Sequence, residues 1–277
     1  MSCKEQMDAL EQKLKNGITE YFTSEKYAVL LKVMSKFHHY SFNNAVLIAA
    51  QCPQASYVTG YTNWKQSFNR IVRKGEKAIR IIAPCPYKVT NEETGEEEEK
   101  LSFRAASVFD ISQTMQIPET EEIRLELPEL VGDVADFESI IGAIIAAASA
   151  SVSYEPVAGG AKGCYLPSEH RIIIQPDMSQ LQTIKTLIHE SAHAHLHNTE
   201  ALKGRKADRE TKEIEAESVA FIVSDMLGLD TSEYSFEYIA TWEGKDDLKQ
   251  LNASMKLIRD TANVMFDNIQ VVLQNAA

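Results

Sequence analysis

One five-residue segment, His189-Glu190-Ser191-Ala192-His193, constrains the fold of this 277-residue chain more than any other feature. In an α-helix the two histidines lie about 40° apart around the axis and one turn apart along it, so both rings point the same way. That spacing suits two nitrogen ligands about 2 Å from one tetrahedral Zn²⁺. The opposite side of the helix is apolar, at Leu181, Ile184, Ile188, Ala192 and Leu196. The pattern predicts a helix over 180–197 that packs on a core and presents both histidines to a metal ion.

Glu190 and a following acidic helix complete the predicted metal site. Glu190 lies beside the metal rather than on it, where its carboxylate can take a proton from water and pass it to a leaving amine. A catalytic zinc site has three protein ligands and one open position. On a helix predicted over 210–227, Glu213 and Glu217 share one face. We predict Glu213 as the third ligand and Glu217 as the acceptor that orients His189; the reverse assignment stays open.

Other polar residues near the motif allow more than one interpretation. Glu215 points to the other side of its helix and is interpreted as a solvated surface charge. His197 either contacts a ligand or is an ordinary histidine at a helix C-terminus, while His195 faces the core. The strand predicted at 171–175 is either an exposed edge that holds an extended peptide or a buried central strand. Three tyrosines could hold an oxyanion, and the pattern does not choose among them: Tyr154, Tyr165 and Tyr238.

The alternative to the whole site is a surface pair of histidines that binds no metal. The acidic helix that follows the motif favours the metal, because it carries carboxylates at helical spacing. We therefore predict one Zn²⁺ as the cofactor.

Charge and composition exclude several classes of protein. Lys and Arg number 28 and Asp and Glu number 40, and the net charge of −12 argues against a protein that coats nucleic acid by bulk charge. The distribution is uneven, since residues 1–82 carry a net +6 and the rest carries −18. The four cysteines form no C-x-x-C pair and are interpreted as reduced thiols of a cytoplasmic protein. The N-terminus lacks the apolar stretch of a signal peptide, and we expect no contact with a membrane.

Changes of pattern along the chain predict two domains of an α+β protein. Residues up to about 50 have helical periodicity, whereas β-branched residues indicate strands at 79–83 and 101–111. Between these strands, an acidic run at 91–100 predicts a solvated hairpin tip. A second acidic stretch, bracketed by prolines, predicts a linker. The predicted N-terminal domain, residues 1–118, is an α/β domain with a β hairpin, and the linker covers 119–130. The predicted second domain, residues 131–277, is mostly helical with a small β-sheet. One of its helices is short and lies near 233–242.

Both halves of the chain resemble one protein family. His189–His193 followed by Glu213-Ile-Glu-Ala-Glu-Ser-Val-Ala-Phe221 is similar to the zincin domain of the ImmA/IrrE and ArdC-type metallopeptidases. Tyr238-Ile-Ala-Thr-Trp242 before a long last helix favours the ArdC type. The N-terminal half resembles the ArdC-like single-stranded-DNA-binding domain. Its matching segments are Tyr40–Asn44, Gly60-Tyr61, Trp64, Val72–Lys77 and Val108–Thr114.

The resemblance implies a zincin-like metallopeptidase domain joined to a module that binds single-stranded DNA. Such proteins are found on conjugative and other mobile elements. Their implied role is antirestriction, the protection of incoming single-stranded DNA from host restriction, or regulation of the element's genes.

Basic and aromatic residues of the N-terminal half fit such a module. In a groove for single-stranded DNA, charge follows the phosphates and rings stack on the bases. The candidate contacts are Tyr61, Trp64, Arg70, Arg73, Lys74 and Lys77. The alternative is that the aromatic residues belong to the core and that the basic residues form a solvated turn.

Three functions are compatible with these features. The leading hypothesis is a zinc-dependent peptidase, acting on a peptide or protein substrate and joined to a DNA-binding domain. The second is a DNA-binding antirestriction protein whose zinc site is structural. The third is a regulatory protease that cleaves a repressor.

Overall fold

The computed structural model describes residues 3–21, 24–90, 97–120, 137–229 and 248–276, and it confirms an α+β fold. The helices are α1 (Cys3–Tyr21), α2 (Ser24–Lys36), α3 (Phe42–Gln51), α4 (Tyr61–Phe68), α5 (Phe137–Ala147), α6 (Gln180–Leu196), α7 (Arg209–Met226) and α8 (Leu248–Ala276). The strands are β1 (Val58–Gly60), β2 (Arg70–Val72), β3 (Ile79–Thr90), β4 (Glu97–Asp110), β5 (Thr114–Gln116), β6 (Ser151–Tyr154), β7 (Gly163–Leu166) and β8 (Arg171–Ile174).

The chain divides into two compact units, each built from two separate stretches of the sequence. The first unit comprises Met1–Tyr21 and His39–Leu125, and the second comprises Phe22–His38 and Glu126–Ala277. Helix α2 therefore belongs to the second unit, although it precedes most of the first unit in sequence. The domain bounds drawn from the sequence stay a prediction. The predicted linker lies mostly, and the predicted helix near 233–242 wholly, outside the described residues.

A long antiparallel hairpin dominates the first unit. Strand β3 pairs along its full length with residues 97–108 of β4. Strand β1 pairs with the other edge of β4, and β2 pairs with β5 in a separate ribbon. The hairpin is longer than the sequence predicted, because β3 continues to Thr90 and β4 already begins at Glu97. The assignment of residues 97–100 to the hairpin tip is therefore wrong; residues 91–96 lie outside the described part of the chain.

Side chains from α3 cover the outer edge of β3. The Asn44 amide donates to the Ile82 carbonyl and accepts from the Ile82 N–H, both at 2.9 Å. Gln51 makes the same pair of bonds with the backbone of Arg80, at 2.9 and 3.1 Å. Farther along the same edge, at alternate positions, are Pro84 and Pro86, which have no N–H to expose.

The turn after β4 is hydrogen-bonded to residues 73–77, which we call the basic loop of the first unit. The Asp110 carboxylate accepts from the N–H groups of Ser56, Tyr57 and Ser112, at 2.8, 3.0 and 2.9 Å. The Gln113 amide donates to the Lys77 carbonyl at 2.8 Å, which ties this turn to residues 73–77. The Asp110 and Gln113 side chains therefore act as a brace for the loop.

In the second unit, the described residues form a three-stranded sheet and five helices, which are α2, α5, α6, α7 and α8. The strand order is β6-β8-β7, with β8 parallel to β6 and antiparallel to β7. Helix α6 packs on β7, β8 and α7, and α2 packs on α7. The buried Tyr27 hydroxyl of α2 bonds to Ser218 Oγ of α7 at 2.8 Å. Among the described residues, no helix has the length and apolar character needed to cross a bilayer.

Candidate metal centre

Helix α6 presents the two histidines of the motif as the sequence predicted. The helix begins with Ser179, whose side chain accepts from the Gln182 N–H, and its other side is buried at Ile184, Leu187 and Ile188. The rings of His189 and His193 lie one turn apart, and their Nε2 atoms are 3.1 Å from each other. Two imidazole nitrogens thus converge on one point.

Glu213 of α7 supplies a third atom at the same point. Asp208 begins this helix by accepting from the Thr211 N–H at 2.8 Å. One turn into α7, Glu213 Oε2 lies 3.6 Å from His189 Nε2 and 3.7 Å from His193 Nε2. Among the described residues, these three form the cluster of His, Cys, Asp and Glu side chains suited to a metal ion.

The separations of the three atoms fit a small dication. Ligands at 2.0–2.1 Å from a tetrahedral ion lie about 3.3 Å from each other. The three separations in the structure, 3.1, 3.6 and 3.7 Å, bracket that value. Two nitrogens and a carboxylate oxygen are also a donor set that Zn²⁺ accepts when a fourth position is left to substrate or water.

Glu217 lies behind His189 rather than at the point of convergence. Its Oε2 is 2.9 Å from His189 Nδ1, so a proton on Nδ1 can be donated to it. Burial alone would lower the pKa of His189, but the carboxylates of Glu213 and Glu217 raise it to about 10. The neighbouring rings of His189 and His193 hold the pKa of Glu213 well below its usual value. The cluster therefore attracts positive charge at the point where a metal would bind.

Glu190 lies between α6 and the edge strand of the sheet. It is buried, which raises the pKa of its carboxyl group, and it accepts a hydrogen bond from the Tyr165 backbone N–H. A carboxyl group whose pKa moves toward neutrality is suited to accept and return a proton.

Strand β7, rather than β8, forms the sheet edge beside the metal centre. The strand at 171–174 is central, which decides between the two interpretations of it. The Lys162 carbonyl accepts from the Gln175 N–H, so by alternation the backbone groups of Gly163 and Tyr165 point away from β8. This outward edge borders a cavity of about 500 Å³ lined by Gly160, Ala161, Lys162, Gly163, Gln182, Lys185, Thr186, His189, Glu190 and Glu217.

Gly163 is a position of close approach beside the candidate site that the sequence analysis missed. A Cβ atom there would lie 2.7 Å from Thr186 Cγ2 and 3.0 Å from Glu190 Cγ. Contacts under 3 Å are not tolerated, so a glycine is required for β7 to approach α6 this closely. The cluster Gly159-Gly160-x-x-Gly163 was the available signal, but a loop rich in glycine does not indicate which glycine touches a helix.

The candidate tyrosines differ in their positions. The Tyr165 hydroxyl bonds to His170 Nδ1 at 2.8 Å. Tyr154 lies on β6, at the opposite edge of the sheet from β7. Tyr238 lies outside the described residues.

The interpretation of Glu215 as a solvated surface charge is wrong. Glu215 is completely buried. It accepts from Arg205, and its Oε2 lies 3.1 Å from His197 Nε2. Burial would raise its pKa, but hydrogen bonds from His197, Arg205 and Ser254 keep the pKa below its usual value. A helical wheel correctly predicts which face of α7 carries Glu215. It does not reveal whether another segment of the chain covers that face.

In the first unit, the prediction that Trp64 contacts DNA is wrong. Trp64 is completely buried and its indole N–H donates to the Phe109 carbonyl at 2.9 Å. Its ring packs against Tyr57 and Phe68, with centroids 5.6 and 5.3 Å away. This aromatic cluster is core, as the alternative interpretation held.

The other candidate DNA contacts lie nearer the surface. Tyr61, at the start of α4, is 60% exposed, and Lys74 and Lys77 are exposed. Arg70 is half-buried and donates to Thr114 Oγ1 at 2.7 Å, while Arg73 pairs with Glu76 at 2.8 Å. The two arginines therefore help to build the loop, whereas Tyr61 and the two lysines face solvent.

Comparison with known proteins shows what this chain and its fold are similar to. Residues 3–109 match the family model for the N-terminal domain of the anti-restriction factor ArdC. The metal-free crystal structure of antirestriction ArdC protein from R388 plasmid matches with a TM-score of 0.57 and 22% identity, over 82% of this chain and 84% of that chain. The chain is ArdC-like. The Mn(II)-bound structure of the R388 protein gives a TM-score of 0.54 at 21% identity over the same shares.

A longer relative extends the similarity of this ArdC-like chain. An uncharacterized protein of Bacillus anthracis is 26% identical over 310 residues, which cover 96% of the chain and 51% of the relative. The chain thus spans about half the length of the curated relative it matches. The family match ends at residue 109, so the cluster of His189, His193 and Glu213 lies beyond it.

Proposed function

We propose that this ArdC-like chain binds one Zn²⁺ through His189, His193 and Glu213, hydrolyses peptide bonds, and binds single-stranded DNA through its first unit in an antirestriction role. The observation that carries the peptidase proposal is the convergence of the three ligand atoms, at 3.1 to 3.7 Å from one another. A relative that has been crystallised with Mn(II) also supports a divalent metal.

Within this proposal, the residues of the chain divide the chemistry among them. A bound Zn²⁺ would supply Lewis-acid polarisation of water and of the peptide carbonyl. Glu190 takes a proton from the attacking water at its carboxylate while the water oxygen bonds to the peptide carbonyl carbon. As the C–N bond breaks, Glu190 returns that proton to the leaving amine nitrogen.

Strand β7 holds the substrate in this proposal. An extended peptide can add to the outward edge by main-chain hydrogen bonds to the backbone of Gly163 and to the Tyr165 carbonyl, while the Tyr165 N–H stays bonded to Glu190. The peptide then lies along the cavity beside Glu190.

The test of the peptidase proposal separates metal binding from proton transfer. We expect Glu190→Gln to retain bound zinc, measured by elemental analysis, and to lose cleavage of a peptide library, measured by mass spectrometry, by a factor of roughly 10² or more. Glu210→Gln, at an exposed position of α7, is the matched control and should keep both properties. Equal cleavage by the Glu190→Gln variant and the parent would remove Glu190 from the reaction.

The DNA proposal depends on the exposed groups of the first unit. We expect the full chain to bind a single-stranded oligonucleotide more tightly than the duplex, with affinity that falls steeply as salt rises. The double change Lys74→Ala and Lys77→Ala should lower the salt slope by about 1.4. Lys203→Ala, an exposed lysine of the second unit, is the control. A salt slope unchanged by the double substitution would exclude the loop as the binding site.

The antirestriction role can be tested independently of proteolysis. The family match of residues 3–109 supports this role. If the zinc site is structural, Glu190→Gln protects single-stranded DNA from a restriction endonuclease as well as the parent does. If proteolysis is required, protection is lost together with cleavage.

A further inference from the structure

Behind His193, a chain of buried polar side chains leads away from the metal centre. His197, the residue that ends α6, places its Nδ1 2.9 Å from Nδ1 of His193. The other ring nitrogen of His197 lies 3.1 Å from Glu215 Oε2. His197 is 5% exposed and Glu215 is 0% exposed. We call His193, His197 and Glu215 the relay.

Glu215 is itself held from several directions. Arg205, in the segment between α6 and α7, donates to Glu215 Oε1, and Ser254 of α8 also donates to the carboxylate. An ionised carboxylate without such partners would be costly to bury. These bonds fix the position of Glu215 and keep it an acceptor.

The hydrogen bonds determine where the ring protons of the relay lie. A carboxylate accepts only, so His197 must present N–H from Nε2 to Glu215. A neutral imidazole has one ring proton, and Nδ1 of His197 is then an acceptor. Of the two facing Nδ1 atoms, His193 must therefore be the donor. Its Nε2 is left with a lone pair directed toward His189 and Glu213.

We propose that Glu215, acting through His197, is a positioning residue that fixes the ring orientation and the proton of His193, so that His193 offers Nε2 to the metal. The inference rests on the proposed function. It adds a second path of hydrogen bonds that orients a ligand. Glu217 orients His189 directly, whereas Glu215 orients His193 through His197. Helix α7 supplies the carboxylate of both paths, Glu217 from one face and Glu215 from the opposite face.

The first experiment compares two substitutions of His197 in the full chain, with Zn²⁺ or Co²⁺ as the probe. In His197→Asn, Oδ1 takes the place of Nδ1 and can accept from His193, whereas His197→Phe offers no acceptor. We expect the Phe variant to bind Zn²⁺ roughly 10- to 100-fold more weakly and to change the Co²⁺ absorption spectrum. The Asn variant should stay close to the parent in both measurements.

Glu215→Gln tests the far end of the relay. The amide keeps the volume of the carboxylate but loses the charge that holds the proton of His197. We expect weaker binding of Zn²⁺, again by roughly tenfold or more, with a change in the Co²⁺ spectrum. Glu200→Gln, an exposed glutamate of the segment that follows α6, should leave the affinity unchanged.

A second measurement requires no substitution and so does not depend on the variants folding. In the zinc-loaded parent, nitrogen NMR of the histidine rings should show the proton of His193 on Nδ1 and that of His197 on Nε2. A proton on Nδ1 of His197, or Zn²⁺ affinity in a folded His197→Phe variant equal to that of the parent, would overturn the relay while leaving the metal site standing. If the parent itself bound no Zn²⁺, the proposed metal function would fall as well, and the relay with it.

Discussion

Three glutamates of α7, two positions apart, occupy three different environments. Glu213 faces the two motif histidines, Glu217 faces the outer nitrogen of His189, and Glu215 is buried against His197 and Arg205. One residue type thus serves as an expected ligand, as an acceptor and as a buried counter-charge. The difference arises from what each side of α7 packs against, because the side chains themselves are identical.

At the residue scale, Trp64 and Tyr61 should separate packing from DNA binding. Because Trp64 is completely buried, Trp64→Ala should cost about 3–5 kcal/mol of unfolding free energy. Tyr61→Ala removes an exposed ring and should leave stability nearly unchanged, while it weakens binding of single-stranded DNA by about 1–3 kcal/mol. Urea denaturation and fluorescence anisotropy measure the two effects. A large loss of stability in Tyr61→Ala would contradict this assignment.

The buried hydroxyl of Tyr27 gives a second residue-scale prediction. It bonds to Ser218 Oγ at 2.8 Å, and Ser218 in turn donates to the Ile214 carbonyl. Tyr27→Phe removes one buried hydrogen bond and should lower the unfolding free energy by about 1 kcal/mol. Tyr61→Phe, which changes an exposed hydroxyl, is the control in the same urea titration.

Residue patterns predicted the metal cluster better than the DNA contacts. Helical spacing brings His189 and His193 together, and it also places Glu213 and Glu217 on one face of the next helix. No comparable rule applies to Trp64 and Tyr61, because an eight-residue helix has aromatic residues on both its buried and its exposed side. The burial of Glu215 was equally unpredictable, since it depends on Arg205 of the connecting segment and on Ser254 of α8, which the helical pattern of α7 does not place.

At the scale of elements, the approach of β7 to α6 depends on Gly163. A methyl group in Gly163→Ala would meet Thr186 and Glu190 at 2.7 and 3.0 Å, so the strand must shift away from the helix. We expect a loss of stability of about 1–3 kcal/mol and a lower kcat for any peptide substrate, with zinc content retained.

Gly142 in α5 is the matched control for this substitution. A Cβ atom there meets nothing within 4 Å, so Gly142→Ala should stabilise the helix by about 0.5–1 kcal/mol. Full activity in Gly163→Ala would show that the position of β7 is not critical for the reaction.

Element types were more predictable than element lengths. The helices at 180–196 and 209–226 lie within one residue of the sequence prediction, because their apolar periodicity is strong. The strand predicted over 79–83 is the start of β3, which runs on to Thr90 through Pro84 and Pro86. It continues because Pro84 and Pro86 fall on the outer edge, where no ladder bond is lost.

At the scale of the whole molecule, chain order and packing do not coincide. Helix α2 lies in the N-terminal part of the sequence, yet its buried residues, including Tyr27, belong to the second unit. A fragment cut near residue 118 would carry α2 without α7. A sequence pattern does not reveal this arrangement, because an amphipathic helix shows only that it packs and not on which partner.

Truncated versions of the chain should test whether α2 stabilises the second unit. We expect a fragment of residues 126–277 to melt at a lower temperature than the same fragment co-expressed with residues 22–38, because α2 covers apolar surface of α7. Circular dichroism during heating measures the difference. Identical melting of the two preparations would contradict the assignment of α2 to the second unit.

The covered edge of β3 affects how the molecules behave toward one another. A long hairpin that exposes rings such as Phe103 would normally be a hazard, because an open strand margin can seed fibrils when copies crowd together. Here the side-chain amides of Asn44 and Gln51 bond to the backbone along one part of the β3 edge. Pro84 and Pro86 lie along the next part. We therefore expect a neighbouring copy not to extend the sheet at this margin of β3, since it finds little ladder there.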